Sequence, residues 1–507
     1  MLCVTLVCAG LAAAASLGSQ LNAVALLPGE PHAVSAAGLS ADDTPILTIE
    51  NPSAFDVTVV KRRLVLVGGG EPSAADAIVA AVRWLKTSAP RSIRDRWIAS
   101  ALPSPQFPSS DTQSLTRWLT FQAPDLVVQV GEGSGLQLDG VRVESIPATA
   151  AVAGLRKLLA ADAPSMSPLH DGLAERIRRD PVNIARVLAA RYPETPSISY
   201  IPAVAWVNTL QLAAAAGDPA LRAKVLEQIR PWLFDGRKLF GDRIQLTAVA
   251  GTMVFADLAA AGDTPPPRLD YAAIPLADEG ARLAAAERSP GVAQYGGGWT
   301  DDMFMASTVL ARTGKLRDRA QDFDVVARLL TAYAGRLQRP DGLFNHATDG
   351  PAAWGRGNGF AAMGLTEALT AIPASHPQRA AILAIYRRQM AAAKAHQAPD
   401  GMWREVIDEP GAYREETATA MLLTAIARGV RLGWLDGSYR PIVQHAWRAL
   451  AAHVRDDGTV IDVCASTAGG PTRKYYLERP AITGADDRGG AMALLASMEM
   501  RQLLATR

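Results

Sequence analysis

A chain of 507 residues exceeds what one ordinary hydrophobic core organises, so two domains are expected. With 49% hydrophobic and 20% charged residues, it has the makeup of a globular protein and not of a disordered one. The 51 basic and 50 acidic residues leave a formal net charge of +1 and no basic run, so nucleic-acid binding has no support.

The first segment, from Met1 to Ser19, is apolar and ends in small residues, the pattern of the core and cleavage zone of a secretory signal. Residues 1–22 are expected to be a signal peptide, which makes the mature protein periplasmic or secreted and free of the membrane. No Lys or Arg precedes the apolar run, so the true start stays open. The run is shorter than the ~20 residues that span a bilayer. Cys3 and Cys8 lie in this segment, which leaves Cys464 alone and excludes a disulfide framework and a cysteine-based zinc site. Cys464 reads first as a small buried residue and only secondarily as a nucleophile.

Residues 23–165 are expected to form an α/β domain. The β-branched runs Asp56–Val60, Arg63–Gly70 and Asp125–Val130 read as strands, and Ser73–Lys86 as a helix with Ser73 as its N-cap. The Val65–Gly70 turn lacks the GxGxxG and GxxxxGKS spacings, so it reads as a turn and not a phosphate loop. The stretch from Arg63 to Pro103, with Val67-Gly-Gly-Gly70 and Ser92-Ile-Arg-Asp-Arg-Trp97, faintly resembles the core of zinc carboxypeptidase-like domains. The metal ligands such an enzyme needs after its first strand are absent, so the resemblance implies a degenerate domain without metal chemistry.

Residues 166–507 read as nearly all helix. Apolar residues recur at i, i+3, i+4 spacing in Leu173–Arg191, Ala203–Ala216, Pro219–Trp232, Thr247–Ala261, Phe323–Gln338, Gln378–His396, Glu416–Leu432 and Tyr439–Val454. Asp-Gly recurs at 235, 341, 400 and 457, the last three 59 and 57 residues apart. That period fits a helical hairpin with its loop, and the region holds about six of them. Six hairpins close into an all-α (α/α)6 toroid; an open helical solenoid is the alternative.

Three loop clusters break the Ala/Leu/Arg background: Tyr295-Gly-Gly-Gly-Trp299-Thr-Asp301-Asp302; Asp341-Gly-Leu-Phe-Asn-His346 with Trp354-Gly-Arg356-Gly-Asn358-Gly; and Asp400-Gly-Met-Trp403 with Tyr413-Arg-Glu415-Glu416-Thr. Aromatic faces, carboxylates, amides and glycines in loops are what a sugar site needs. Read singly, the same residues have plainer roles. Asp301 and Asp302 cap a helix, as do Glu415 and Glu416; Trp403 is core; His346 is a satisfied buried histidine. The remaining histidines are scattered without HxxxH or HExxH spacing, so no metal and no cofactor is expected.

In order, the Trp299, Asp341 and Trp354 motifs resemble the signature of the unsaturated rhamnogalacturonyl hydrolase family, the (α/α)6-barrel glycoside hydrolase family 105. Tyr413-Arg-Glu-Glu-Thr417, Asp462-Val-Cys464, Tyr475-Tyr-Leu-Glu-Arg479 and Asp486-Asp487 continue the resemblance over roughly residues 195 to 505. It implies that Asp301 is the general acid/base and that Trp299, Asp302, His346, Trp354, Arg356 and Asn358 line the substrate site. Thr247 stands where that family often has a second Asp, which leaves a second carboxylate unassigned. The implied substrate is an oligosaccharide ending in a 4,5-unsaturated uronic acid of rhamnogalacturonan type. Asp301 would protonate C4 of the enol ether and then activate water for C5, which asks that it hold a proton through burial or through Asp302. Arg356 would pair with the uronate. The alternatives are an unsaturated glucuronyl hydrolase acting on glycosaminoglycan or ulvan fragments and an inactive carbohydrate-binding barrel. The sequence leaves the oligomeric state open.

Overall fold

The computed structural model describes residues 16–108, 113–132, 135–161, 165–261 and 269–506. The chain divides into two compact units, Met1–Ala54 with Val59–Asp171, and Phe55–Thr58 with Gly172–Arg507.

The first unit is an α/β layer structure. Its strands are β1 (Ala33–Leu39), β2 (Pro45–Glu50), β3 (Arg62–Gly68), β4 (Trp97–Leu102), β5 (Leu126–Val130) and β6 (Arg142–Ile146), in the order β1-β2-β4-β3-β5-β6. β4, β3, β5 and β6 run parallel, and β2 joins β4 antiparallel. Its helices are α1 (Leu17–Ala25), α2 (Pro72–Thr87), α3 (Arg91–Arg94), α4 (Ser114–Gln122) and α5 (Ala151–Ala160). Leu64, Leu66 and Val128 pack with Ile78 and Val82 of α2 and Leu155 of α5. The alternate residues Val65, Val67 and Val127 pack with Trp118 and Leu119 of α4. A parallel sheet buried on both faces needs such unbroken apolar strands.

Three expectations change here. Residues 56–60 form no strand, because Asp56 Oδ1 accepts both the N–H and the hydroxyl of Thr58 and closes a turn. Helix α2 starts at Pro72 with Glu71, not Ser73, as its N-cap. The boundary at residue 22 would cut α1, which Ser16 caps and whose Leu21 and Val24 are fully buried in the core. The folded unit therefore includes Ser16 onward; residues 1–15 of the expected signal lie outside the described residues. The glycine turn after β3 is occupied by the chain's own acid, since Glu71 Oε1 accepts the Glu132 N–H at 3.0 Å.

After α6 (Pro168–Arg178), the second unit contains α7 (Pro181–Arg191), α8 (Tyr200–Ala216), α9 (Pro219–Leu233), α10 (Leu246–Gly251), α11 (Met253–Ala260), α12 (Leu269–Ala284), α13 (Thr300–Arg317), α14 (Ala320–Leu337), α15 (Gly355–Ala371), α16 (Arg379–Ala395), α17 (Glu416–Arg431), α18 (Arg440–Ala452), α19 (Arg473–Leu477) and α20 (Asp487–Ala505). Short hairpins punctuate them: β7 (Glu287–Ser289) with β8 (Val292–Ala293), β9 (Trp403–Arg404) with β10 (Arg414–Glu415), and β11 (Val460–Cys464) with β12 (Ala481–Gly484). The helix expected over Leu173–Arg191 is two, because Pro181 restarts it with Asp180 as N-cap. The segment 247–261 is likewise divided at Thr252.

Helix α13 packs on α15, α15 on α17, α17 on α20, and α20 on α8; α8 meets α10 and α11, which return to α13. This closed inner ring is sheathed by α7, α9, α12, α14, α16 and α18, so the unit is a toroid and not an open solenoid. The inner helices are buried on nearly every side. In α15 each residue from Gly355 to Leu369 is buried, whereas outer α14 buries one stripe. Glycine permits the closeness: a Cβ on Gly364 of α15 would lie 2.2 Å from the Met303 carbonyl of α13.

The Asp-Gly repeat has a structural cause. Asp341, Asp400 and Asp457 each accept the N–H two residues on, from Leu343, Met402 and Thr459, at 3.0, 3.0 and 2.9 Å. The glycines after them take φ of +97°, +98° and +80°. A Cβ on Gly342 or Gly401 would lie 2.5 Å from a carbonyl of an outer helix, Arg388 or His445.

Arg312, Glu367, Arg428 and Glu499 each stand twelve residues beyond the first residue of their inner helix (300 to 312, 355 to 367, 416 to 428, 487 to 499). They join into one alternating ion chain. Arg312 bonds Asp257 at 2.6 Å and Glu367 at 2.8 Å, and Arg428 bonds Glu367 at 2.8 Å and Glu499 at 2.7 Å. Arg431 ends the chain on Glu499 at 2.7 Å. The shared depth shows that these four helices run in the same direction, with their N-termini at one end.

Candidate active site

That end gathers the motif residues. Trp299 is the N-cap of α13, so Asp301 and Asp302 fall in its first turn. Adjacent positions on a helix point about 100° apart, and the two acids have opposite surroundings. Asp302 is buried. Its oxygens accept the Gly297 and Gly298 N–H groups at 3.2 and 2.7 Å and the Tyr333 hydroxyl at 2.5 Å. Burial pushes its carboxyl up to about 6, while the Tyr333 and glycine donors pull the other way. It organises the glycine turn and does not line a binding surface.

Asp301 keeps 17% of its side chain exposed, and its one side-chain hydrogen bond among the described residues joins Oδ2 to His346 Nε2 at 3.0 Å. His346 is fully buried. Its Nδ1 lies 2.9 Å from the Tyr476 hydroxyl, and its ring sits 5.3 Å from Trp299 and 4.5 Å from Trp354. The loop holding His346 is fixed by Asn358, which accepts the Phe344 N–H and donates to the Phe344 and Trp354 carbonyls, all within 3.0 Å. Asn358 is fully buried by these bonds, so its expected contact with substrate is replaced by a scaffolding one.

Trp354 is buried too, and its indole N–H donates to Glu405 Oε1 at 3.0 Å. Arg356 lies 4.8 Å over the Trp354 ring and donates to the Cys464 and Ala465 carbonyls at 2.8 and 3.0 Å. At 3% exposure its guanidinium is engaged by the protein, so the expected pairing with a uronate is not prepared in this conformation. The structure thus brings all seven motif residues together. Trp299 and Asp301 form the accessible surface, while His346, Trp354 and Arg356 form the wall behind it.

Several participants were not identified from the sequence as site residues. Tyr200, the first residue of α8, stands in the field of Asp301, Arg356, Asp486 and Arg488, and burial pushes its phenol up to about 12. Tyr476 was visible only as half of a Tyr-Tyr pair. Glu405 and Glu415 complete the wall. Glu415 caps α17 through the Thr417 and Ala418 N–H groups and also accepts the Cys464 N–H at 2.8 Å. Cys464 donates its thiol to Glu405 at 3.0 Å, and burial raises it, so it is a packed thiol and no nucleophile. Trp403 is core, its N–H on the Ala393 carbonyl. Thr247 is the second residue of α10 and brings no carboxylate.

Glu416 is anomalous. It is fully buried, and neither carboxylate oxygen has a hydrogen-bond partner among the described residues. Burial, then Glu415 and Asp486, push its carboxyl well up. A folded pKa above the unfolded one means the penalty is absent below the unfolded value and grows as pH rises. Glu416→Met should therefore raise stability by about 1–3 kcal/mol at pH 8 and by less at pH 5. Chemical denaturation at the two pH values checks this, and an equal or destabilising change at both would contradict it.

Residues 293–504 match the family described as Glycosyl Hydrolase Family 88. The chain is 30% identical over 190 residues to the unsaturated rhamnogalacturonyl hydrolase YesR of Bacillus subtilis, covering 36% of this chain and 54% of that protein. It is 27% identical over 175 residues to an unsaturated 3S-rhamnoglycuronyl hydrolase of an Alteromonas species, covering 32% and 42%. The chain spans about half the length of these curated relatives. Among solved structures, a family 105 glycoside hydrolase from C. acetobutylicum superposes with a TM-score of 0.56 at 20% identity, covering 64% of this chain and 99% of that one. A possible family 105 member from Salmonella enterica superposes at 0.54 and 19%, covering 66% and 94%. The fold of the second unit is the toroid of those structures, and residues 293–504 are similar to glycosyl hydrolase family 88.

Proposed function

We propose that this domain removes a 4,5-unsaturated uronic acid from the non-reducing end of lyase-generated oligosaccharides of rhamnogalacturonan type. The observation that carries the reading is Asp301, an acid with one oxygen anchored on His346 and the other without a hydrogen-bond partner among the described residues, two positions after the partly exposed Trp299. One such carboxyl is enough for this substrate. Protonation of C4 places positive charge on C5, shared with the ring oxygen. Water adds at C5 as the carboxylate takes its proton, and the hemiketal opens with release of the leaving sugar. An ordinary glycosidase needs two carboxylates across the bond, and Thr247 supplies none. The N-terminal ends of α8, α13, α15, α17 and α20 supply partial positive charge suited to an anionic sugar.

The preference for rhamnogalacturonan rests on the relative from Bacillus subtilis, and the Alteromonas relative, an unsaturated 3S-rhamnoglycuronyl hydrolase, keeps other unsaturated glycuronyl fragments in view. Unsaturated rhamnogalacturonan and glucuronyl disaccharides should be compared by the loss of ultraviolet absorbance of the conjugated double bond. A higher kcat/KM on the first is expected. A higher value on the second moves the assignment to a glucuronyl hydrolase, and no loss on either favours a sugar-binding barrel or a different substrate.

A further inference from the structure

We propose that Tyr476 is a positioning residue that fixes the tautomer of His346 and thereby selects which oxygen of Asp301 carries the reactive proton; this rests on Asp301 being the proton donor.

The argument is one of hydrogen-bond direction. Among the described residues the Tyr476 oxygen has two polar partners, the Gly470 N–H at 3.0 Å and His346 Nδ1 at 2.9 Å. A backbone N–H can only donate, so the phenol oxygen accepts there. The phenol's own proton then has one acceptor among the described residues, His346 Nδ1. Were Nδ1 the protonated nitrogen, a buried O–H would be left without an acceptor, the costly arrangement. Tyr476 is fully buried, and burial pushes its phenol up to about 12, so it remains a donor over the working range.

With Nδ1 accepting, the imidazole proton sits on Nε2 and is donated to Asp301 Oδ2 at 3.0 Å. The aspartic proton is then confined to Oδ1, the oxygen free to meet C4. After transfer, Oδ2 stays held by the Nε2–H while Oδ1 accepts the proton of water. Without the phenol, Nε2 can become the acceptor, and the Asp301 proton passes to the imidazole instead of the substrate. The groups that face the pair and Tyr476 are Asp302 on α13, Tyr200 on α8, Asp349 in the loop after His346 and Tyr475, besides the rings of Trp299 and Trp354.

The test uses the full chain with 15N-labelled histidine. Two-bond proton–nitrogen spectra report each ring's tautomer, and His346 is identified by the signal lost in His346→Gln. The expected result is a neutral Nε2–H pattern in the wild type, lost in Tyr476→Phe. The variant's kcat should fall about ten- to a hundredfold with KM little changed and the pH profile displaced. An Nδ1–H pattern in the wild type, which requires no variant to fold, overturns the proposal. So does a Tyr476→Phe protein that keeps the wild-type tautomer and pH profile. Failure of the Asp301 reading shows separately, as turnover surviving in Asp301→Asn while the spectrum still reports the role of Tyr476.

Discussion

Asp301→Asn is expected to give folded protein that has lost about 10²–10⁴ in kcat on the unsaturated disaccharide. The substitution is nearly isosteric, and the amide oxygen can still accept the His346 N–H, so the anchor at Oδ2 survives. What disappears is the acidic proton for C4 and the base for water, both of which the proposed reaction draws from one group. Asp301 is partly exposed and its side chain makes no other hydrogen bond among the described residues, so the thermal midpoint should barely move. The absorbance of the C4=C5 bond, followed over time beside the wild type, measures the loss directly. Near wild-type turnover would remove Asp301 from the mechanism and turn attention to Tyr200 and Glu416.

Arg428→Met should have the largest effect on stability, a loss of about 3–5 kcal/mol. The chain Asp257–Arg312–Glu367–Arg428–Glu499–Arg431 balances three acids with three arginines. Removing Arg428 strips a partner from both Glu367 and Glu499, which are 5% and 1% exposed, and leaves the buried chain one negative charge in excess. The methionine fills most of the volume, so the loss reports charge and not a cavity. Thermal unfolding should fall by roughly 5–10 °C, and added salt should not restore it, because screening acts on exposed pairs far more than on buried ones. A midpoint within a degree or two of wild type would show that the chain contributes little. Turnover at low temperature should persist, since twelve residues of helix separate Arg428 from the helix starts, about 18 Å.

Much of the toroid was legible because its loops impose residue identities. Asp341, Asp400 and Asp457 repeat one turn, and glycine must follow where a side chain would strike an outer helix. The motif order likewise located the site. The division of labour inside it was not legible. Asp301 and Asp302 are the same residue in succession, and only the helix phase decides that one is accessible while the other braces a turn. Asn358 and Arg356 belong to a motif that suggests ligand contact, yet their shortest hydrogen bonds go to backbone groups that tertiary packing brings in. Tyr476 meets His346 across 130 positions of sequence, beyond any local pattern. The ion chain was hidden for another reason: its members look like ordinary surface charges until the helix starts are known. The β-branched run at 56–60 suggested a strand, and a side-chain turn at Asp56 prevailed.

The ion chain also sets the relative height of the helices that bear the site. Asp257, Arg312, Glu367, Arg428 and Glu499 link α11, α13, α15, α17 and α20 neighbour to neighbour around the ring, so none of these helices can slide along its axis without breaking an ion pair. The helix starts that carry Asp301, Arg356 and Glu416 are thereby kept level with one another from a point about 18 Å away.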